Sequence, residues 1–165
     1  MIRDIYEYPS SVLERVMPEV KTFGPKAAAT CNDLKETMFS VNGVGLAANQ
    51  IGVELRICIT RIQHGARWFE FLNPVILMRS GKLWSPEGCL SIPNYSAIVP
   101  RSETVKIGYR TRDNKVAMMT LAGEAATRIQ HEIDHLDGIL IHDYVNGKKG
   151  KSGGINATEG SLQEA

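Results

Sequence analysis

Gln130-His131-Glu132-Ile133-Asp134-His135 is the stretch on which the reading of this chain turns. It lies in a run from about Gly123 to Leu136 where Ala126, Ile129, Ile133 and Leu136 recur at helical spacing, with Gly138 as the stop signal. At about 100° per residue, His131 and His135 fall one turn apart on one face, while Ile129 and Ile133 sit roughly 160–200° around the helix from His131. Such a helix packs its apolar stripe into a core and presents both imidazoles to a cavity. Glu132 falls on the flank of the histidine face, able to reach a metal-bound water without becoming a ligand. The competing reading is a pair of structural histidines, which leaves the placement of Glu132 without a reason.

A catalytic metal site commonly takes three protein ligands and keeps one position open. Downstream donors fit poorly. Gly138 stands where a longer histidine motif would have it, but position 141 is isoleucine and His142 comes one residue late. Glu159 and Glu164 follow only in a glycine-rich tail. An upstream donor remains: Cys89, in Glu87-Gly88-Cys89-Leu90-Ser91, expected just beyond a strand and turn. A lone cysteine is ordinarily a small buried residue. Beside a two-histidine site lacking a third ligand it reads instead as a thiolate donor, which gives an asymmetric and fairly soft tetrahedral set.

Outward from this helix, Ala27, Cys31, Leu34 and Met38 mark one face of a helix from Pro25 to Ser40, with Pro25 suited to its first turn. Leu55, Ile57 and Ile59 alternate with polar or small residues as in a half-buried strand. Trp68–Leu72 and Val75–Met78 read as two short strands split by Asn73-Pro74. Val105, Ile107 and Tyr109 alternate again, and Asp113-Asn114 turns that strand into Val116–Leu121. Residues 1–24 look irregular. Strands in the middle with helices at either end imply an α+β domain.

The bulk properties fit one such domain. The chain has 165 residues, 43% hydrophobic and 22% charged, with a net charge of +1. No field of one sign argues for DNA or an anionic membrane. No apolar run approaches the ~18 residues of a membrane span, and the first residues lack a secretory apolar region. Three widely spaced cysteines do not make a disulfide framework and suit a reducing cytosol. A catalytic domain is expected over 1–146, followed by a solvated glycine- and lysine-rich tail over 147–165.

A second unusual segment is Gly43-Val44-Gly45-Leu46-Ala47-Ala48-Asn49-Gln50-Ile51-Gly52. It carries neither the lysine of a phosphate loop nor dinucleotide-fingerprint spacing. Its glycines permit close backbone approach, and Gln50 is a neutral donor suited to a carbonyl oxygen. Taken together, Gly43–Gln50, Glu87–Ser91 and Gln130–His135 resemble the three ordered motifs of the peptide deformylase family, with every fixed position matched. The likeness runs from about Tyr8-Pro9 to Tyr144.

The resemblance implies an enzyme that removes the formyl group from N-formylmethionine at the start of new polypeptides. It also implies antiparallel sheets around a central helix that carries the two histidines. By the same resemblance Cys89, His131 and His135 are the metal ligands and Glu132 the acid–base. Gln50 and the Leu90 N–H hold the formyl oxygen, and Val44 and Gly45 border the substrate. The expected metal is a single divalent ion, Fe²⁺ in the cell, with Zn²⁺, Ni²⁺ or Co²⁺ as alternatives. Glu87 and Arg101 are opposite charges flanking the site loop that either pair or stay solvated.

Two departures from the family pattern stand out. Asn94-Tyr95-Ser96 occupies the stretch where some bacterial members carry a peptide-contacting arginine, and the tail is rich in glycine where members that dock on the ribosome use a C-terminal helix. Lys148, Lys149 and Lys151 leave a transient ribosomal contact open. The expectation is a monomer acting on formyl-methionyl peptides in the cytosol of a bacterium or of a virus-infected bacterial host. The rivals are a His-Glu-x-x-His protease of another family and a non-catalytic formyl-peptide-binding module.

Overall fold

The computed structural model describes residues 1–62 and 67–147. The tail expected over 147–165 therefore lies, from residue 148 onward, outside the described residues, as do Glu159 and Glu164. Seven strands and three helices follow in order: α1 (Pro25–Ser40), β1 (Gly45–Ala47), β2 (Ile57–Arg61), β3 (Trp68–Ser80), β4 (Leu83–Cys89), β5 (Ile92–Arg101), β6 (Thr104–Arg110), β7 (Val116–Ala122), α2 (Gly123–Leu136) and α3 (Ile141–Val145). The strands form a five-stranded antiparallel sheet of order β1-β2-β3-β6-β7 and a separate β4-β5 hairpin. The α+β architecture around a histidine-bearing helix is as the sequence implies.

Helix α2 packs Ala126, Ile129, Ile133 and Leu136 against Phe71, Val105, Ile107 and Leu121 of the large sheet. Helix α1 covers another part of the sheet through Cys31, Leu34 and Met38 against Ile57, Ile59 and Leu72. Strand β2 therefore lies between two helices. Its expected half-buried alternation is wrong for that reason: Ile57, Cys58, Ile59 and Thr60 are all buried. Ile57 and Ile59 belong to the α1 core, Cys58 to the α2 core.

A second correction concerns Asn73-Pro74, which does not divide two strands. One strand, β3, runs through it with a register shift between Leu72 and Val75. Asn73 adopts a left-handed conformation, φ 51°, and its side chain replaces a strand partner. The Val20 N–H donates to Asn73 Oδ1 at 2.7 Å, and Asn73 Nδ2 donates to the Val20 carbonyl at 3.0 Å. Proline lacks an N–H and is tolerated at such a bulge.

The residues before α1 are irregular apart from a 3-10 turn, Ser11–Glu14, but they are not idle. The Tyr6 N–H donates to the Gln50 carbonyl and the Tyr8 N–H to the Ser91 carbonyl, both at 2.8 Å. This segment ties the Gly43–Gly52 stretch to the cysteine hairpin. Further on, Met17 N–H donates to the Leu136 carbonyl at the end of α2. Gly138, at φ 69°, lies there against the Glu14 backbone, where an added Cβ would stand 2.7 Å from the carbonyl. Helix α2 is thus stopped and docked at one point.

Candidate active site

Helix spacing places His131 and His135 on one face of α2, as expected, and the rest of the site is assembled across chain distance. Strand β4 ends at Cys89, whose Sγ lies 3.2 Å from His135 Nε2. The donor atoms of Cys89, His131 and His135 all lie within 4.8 Å of one another. The rejected candidate His142 is elsewhere, on α3, with its ring 4.7 Å from that of Tyr8.

Glu87, two residues before Cys89 and on the same side of β4, receives His131 Nδ1 at 2.9 Å. That leaves the other ring nitrogen of His131 for the cluster, the orienting arrangement common behind ligand histidines. Arg101 in turn grips Glu87 with two hydrogen bonds, Nε to Oε1 and NH2 to Oε2, each 2.7 Å. The same guanidinium donates to Asp134 Oδ2 and to Tyr144 Oη, and Tyr144 Oη donates to Asp134. The opposite charges noted in the sequence are therefore a buried pair. The bridge from Glu87 to His131, and the roles of Asp134 and Tyr144, were not read from the sequence.

Glu132 is buried, and its Oε2 has no protein partner. Its carboxyl packs on Gly45, where a Cβ would come within 2.3 Å of Oε1. Any larger residue here would displace the Glu132 carboxyl, which gives the second glycine of the Gly43–Gly52 segment a physical reason. Gln50 is pinned by its own oxygen, which accepts from the Ala47 N–H at 2.9 Å. Its Nε2 donates to Ser91 Oγ at 3.0 Å and lies 4.0 Å from Cys89 Sγ. Neighbouring Asn49 donates to the His135 carbonyl at 2.6 Å, a support the sequence reading missed. Val44, Gly45, Gln50, Cys89, Leu90, His131 and Glu132 all line one cavity of about 870 Å³.

The electrostatics match the chemistry of the donors. Burial pushes the Glu132 carboxyl up to about 7, against the pull of His131. Burial also works against charge on Glu87, yet the hydrogen bonds from Arg101 and His131 hold it at about 2. His131 is opposed by burial but driven up to about 10 by Cys89 and Glu87. His135 is kept well below its usual range by burial and by the charge of His131, so it stays a neutral lone-pair donor. A cluster that draws a proton this strongly draws a divalent cation by the same forces, and metal binding displaces the proton. One thiol and two imidazoles, one braced by a carboxylate, fit such an ion.

Fold and cavity together place the molecule among metal-dependent hydrolases. A family model described as polypeptide deformylase matches residues 2–151. Peptide deformylase of Helicobacter pylori (strain Shi470) is 38% identical over 146 residues, covering 85% of this chain and 83% of the relative. Peptide deformylase 1 of Bacillus cereus is 38% identical over 140 residues, covering 85% and 90%. The crystal structure of a peptide deformylase from Legionella pneumophila superposes with a TM-score of 0.84 at 36% identity, covering 87% of this chain and 86% of that one. A Met-Ala-Ser-bound class I type b peptide deformylase from Acinetobacter baumannii gives 0.83 at 28%, covering 87% and 98%. The chain belongs to the polypeptide deformylase family, and its activity is the family's: metal-dependent hydrolysis of the formyl group from an N-terminal methionine.

Proposed function

We propose that residues 1–146 form the catalytic domain and that Cys89, His131 and His135 hold one divalent ion at the cavity floor. The carrying observation is the convergence of those three donors beside a buried carboxyl that has an unpartnered oxygen. When bound, the ion supplies Lewis acidity, acidifying water toward a pKa of ~7 and polarising a carbonyl. Glu132, poised at about 7, takes the proton of the attacking water and gives it to the leaving methionine nitrogen. Gln50 Nε2 and the Leu90 N–H donate to the oxyanion that develops on the formyl oxygen. Formate and a free amine result.

Val44 and Gly45 border the bound formyl-methionine. That the Acinetobacter baumannii relative is Met-Ala-Ser bound supports a peptide as the occupant of this cleft. The family resemblance points to Fe²⁺ as the ion in the cell, and a thiolate beside two imidazoles also accepts Zn²⁺, Ni²⁺ or Co²⁺. The reading further takes the enzyme as a monomer in the cytosol of a bacterium or of a virus-infected bacterial host, meeting nascent chains with at most transient contact to the ribosome. Among the described residues no helix is long and apolar enough to cross a membrane.

The test is formate release from formyl-Met-Ala-Ser by protein purified anaerobically and loaded with Fe²⁺. Turnover is expected, and its absence in metal-replete protein overturns the reading. Cys89→Ser is expected to lose bound metal and activity together, whereas a protease using another third ligand would keep both.

A further inference from the structure

The lining of the cavity divides chemically. Val44, Leu90, Ile92 and Tyr95 supply apolar surface from the Gly43–Gly45 segment and the hairpin. The first turns of α2 supply Glu124, Thr127 and Arg128. Thr127 and Arg128 stand four and three residues before His131 and Glu124 stands seven before it, so they extend the His131 face of the helix. At 1.5 Å per residue they lie roughly 5 and 10 Å from that ligand along the axis. With the formyl group at that ligand, this wall lies about 5–10 Å away, the range that a side chain on the formyl-bearing residue spans.

The guanidinium is the group that the wall offers. Thr127 Oγ1 turns back to the Glu124 carbonyl at 2.9 Å. Arg128 NH2 donates to Glu124 Oε2 at 2.7 Å, and NH1 lies 3.4 Å from the Arg61 carbonyl at the end of β2. Those two contacts hold the head in place and use only part of a five-donor fork. Among the described residues lining the cavity, Arg128 is the sole lysine or arginine. As an ion pair with a carboxylate that is 66% exposed it contributes little to stability.

We propose that Arg128, braced by Glu124, is a specificity-determining residue that puts a hydrogen-bond donor in the pocket for the first side chain. Formyl-peptides whose first side chain ends in an acceptor, methionine sulfoxide above all, are then accepted alongside formyl-methionine. An all-apolar wall would strand the sulfoxide oxygen without a partner, and the charge-assisted bond from Arg128 removes that penalty. The inference rests on the formyl-peptide occupying this cleft.

The experiment measures kcat/KM of Fe²⁺-loaded enzyme on formyl-Met-Ala-Ser, its methionine sulfoxide counterpart and the norleucine counterpart. The wild type is expected to take the sulfoxide peptide within about tenfold of the methionine peptide. In Arg128→Leu the preference for methionine over sulfoxide rises by about 10- to 100-fold, carried mainly by KM, while the norleucine-to-methionine ratio stays put. Arg128→Lys recovers part of the loss. A sulfoxide preference that moves less than about twofold in Arg128→Leu overturns the proposal, and Arg128→Gln supplies the same ratio if the leucine variant does not fold. Failure of the wild type on formyl-Met-Ala-Ser would instead strike the deformylase reading.

Discussion

Arg101→Met tests whether the buried charges behind the metal cluster hold the site together. The Arg101 side chain is 2% exposed, and its carboxylate partners Glu87 and Asp134 are 9% and 12% exposed. Removing the guanidinium takes the cation from both and leaves Glu87 only His131 and Asp134 the Tyr144 hydroxyl among the bonds described. The part due to Glu87 follows from its pKa, held at about 2 against an ordinary 4.5. That depression is worth about 3 kcal/mol at neutral pH, at ~1.4 kcal/mol per unit, and Arg101 shares it with His131, so only part is lost with the guanidinium. With the Asp134 ion pair lost as well, although its Tyr144 hydrogen bond remains, a loss of about 3 kcal/mol is expected.

The sign with pH is fixed by the direction of the shift. A lowered carboxylate contributes stability that is fully present above about 4.5 and lost as pH falls toward about 2. The gap between variant and wild type should therefore be widest near pH 7 and shrink steadily below pH 4.5. Urea unfolding of both metal-free proteins at pH 7, 5 and 3, followed by circular dichroism, measures it. A loss below 1 kcal/mol at pH 7, or one independent of pH, would refute the reasoning.

Gly45→Ala forces a Cβ to within 2.3 Å of Glu132 Oε1, so the carboxyl must move. Formate release should fall by about 10²-fold while metal content, read by atomic absorption, persists. Gln50→Ala removes one oxyanion donor and should lower kcat by about 10²–10³-fold, with a smaller change in KM. Glu132 has its pKa raised by burial to about 7, so its stabilising contribution is full below about 4.5 and lost as pH rises through 7. Metal-free Glu132→Gln should accordingly gain on the wild type between pH 5 and 8, by up to about 3 kcal/mol in denaturant titrations. An unchanged difference across that range would remove the claim of a buried, poised carboxyl.

What the sequence determined by itself was what depends on local periodicity. The 3.6-residue repeat of α2 places His131, Glu132 and His135, and the stripe from Ala126 to Leu136 fixes which way they face. The glycine and cysteine motifs, Gly43–Gln50 and Glu87–Ser91, were legible as short ordered segments that resemble those of a known family. Strand β4 was not, because its pattern is inverted. Ser85, Glu87 and Cys89 turn inward to the site while Trp84, 64% exposed, turns out, the reverse of a half-buried strand. Only the tertiary structure brings Glu87 to His131 from 44 residues away and Arg101 to Asp134 from 33. Strand register and a shift between Gly88 and Cys89 set those meetings, and neither is a property of any short window. The approach of Glu132 to Gly45, the N-terminal strap across Gln50 and Ser91, and the arginine on the cavity wall share that origin. Each depends on where two distant backbones pack, which the spacing of residues along one of them does not contain.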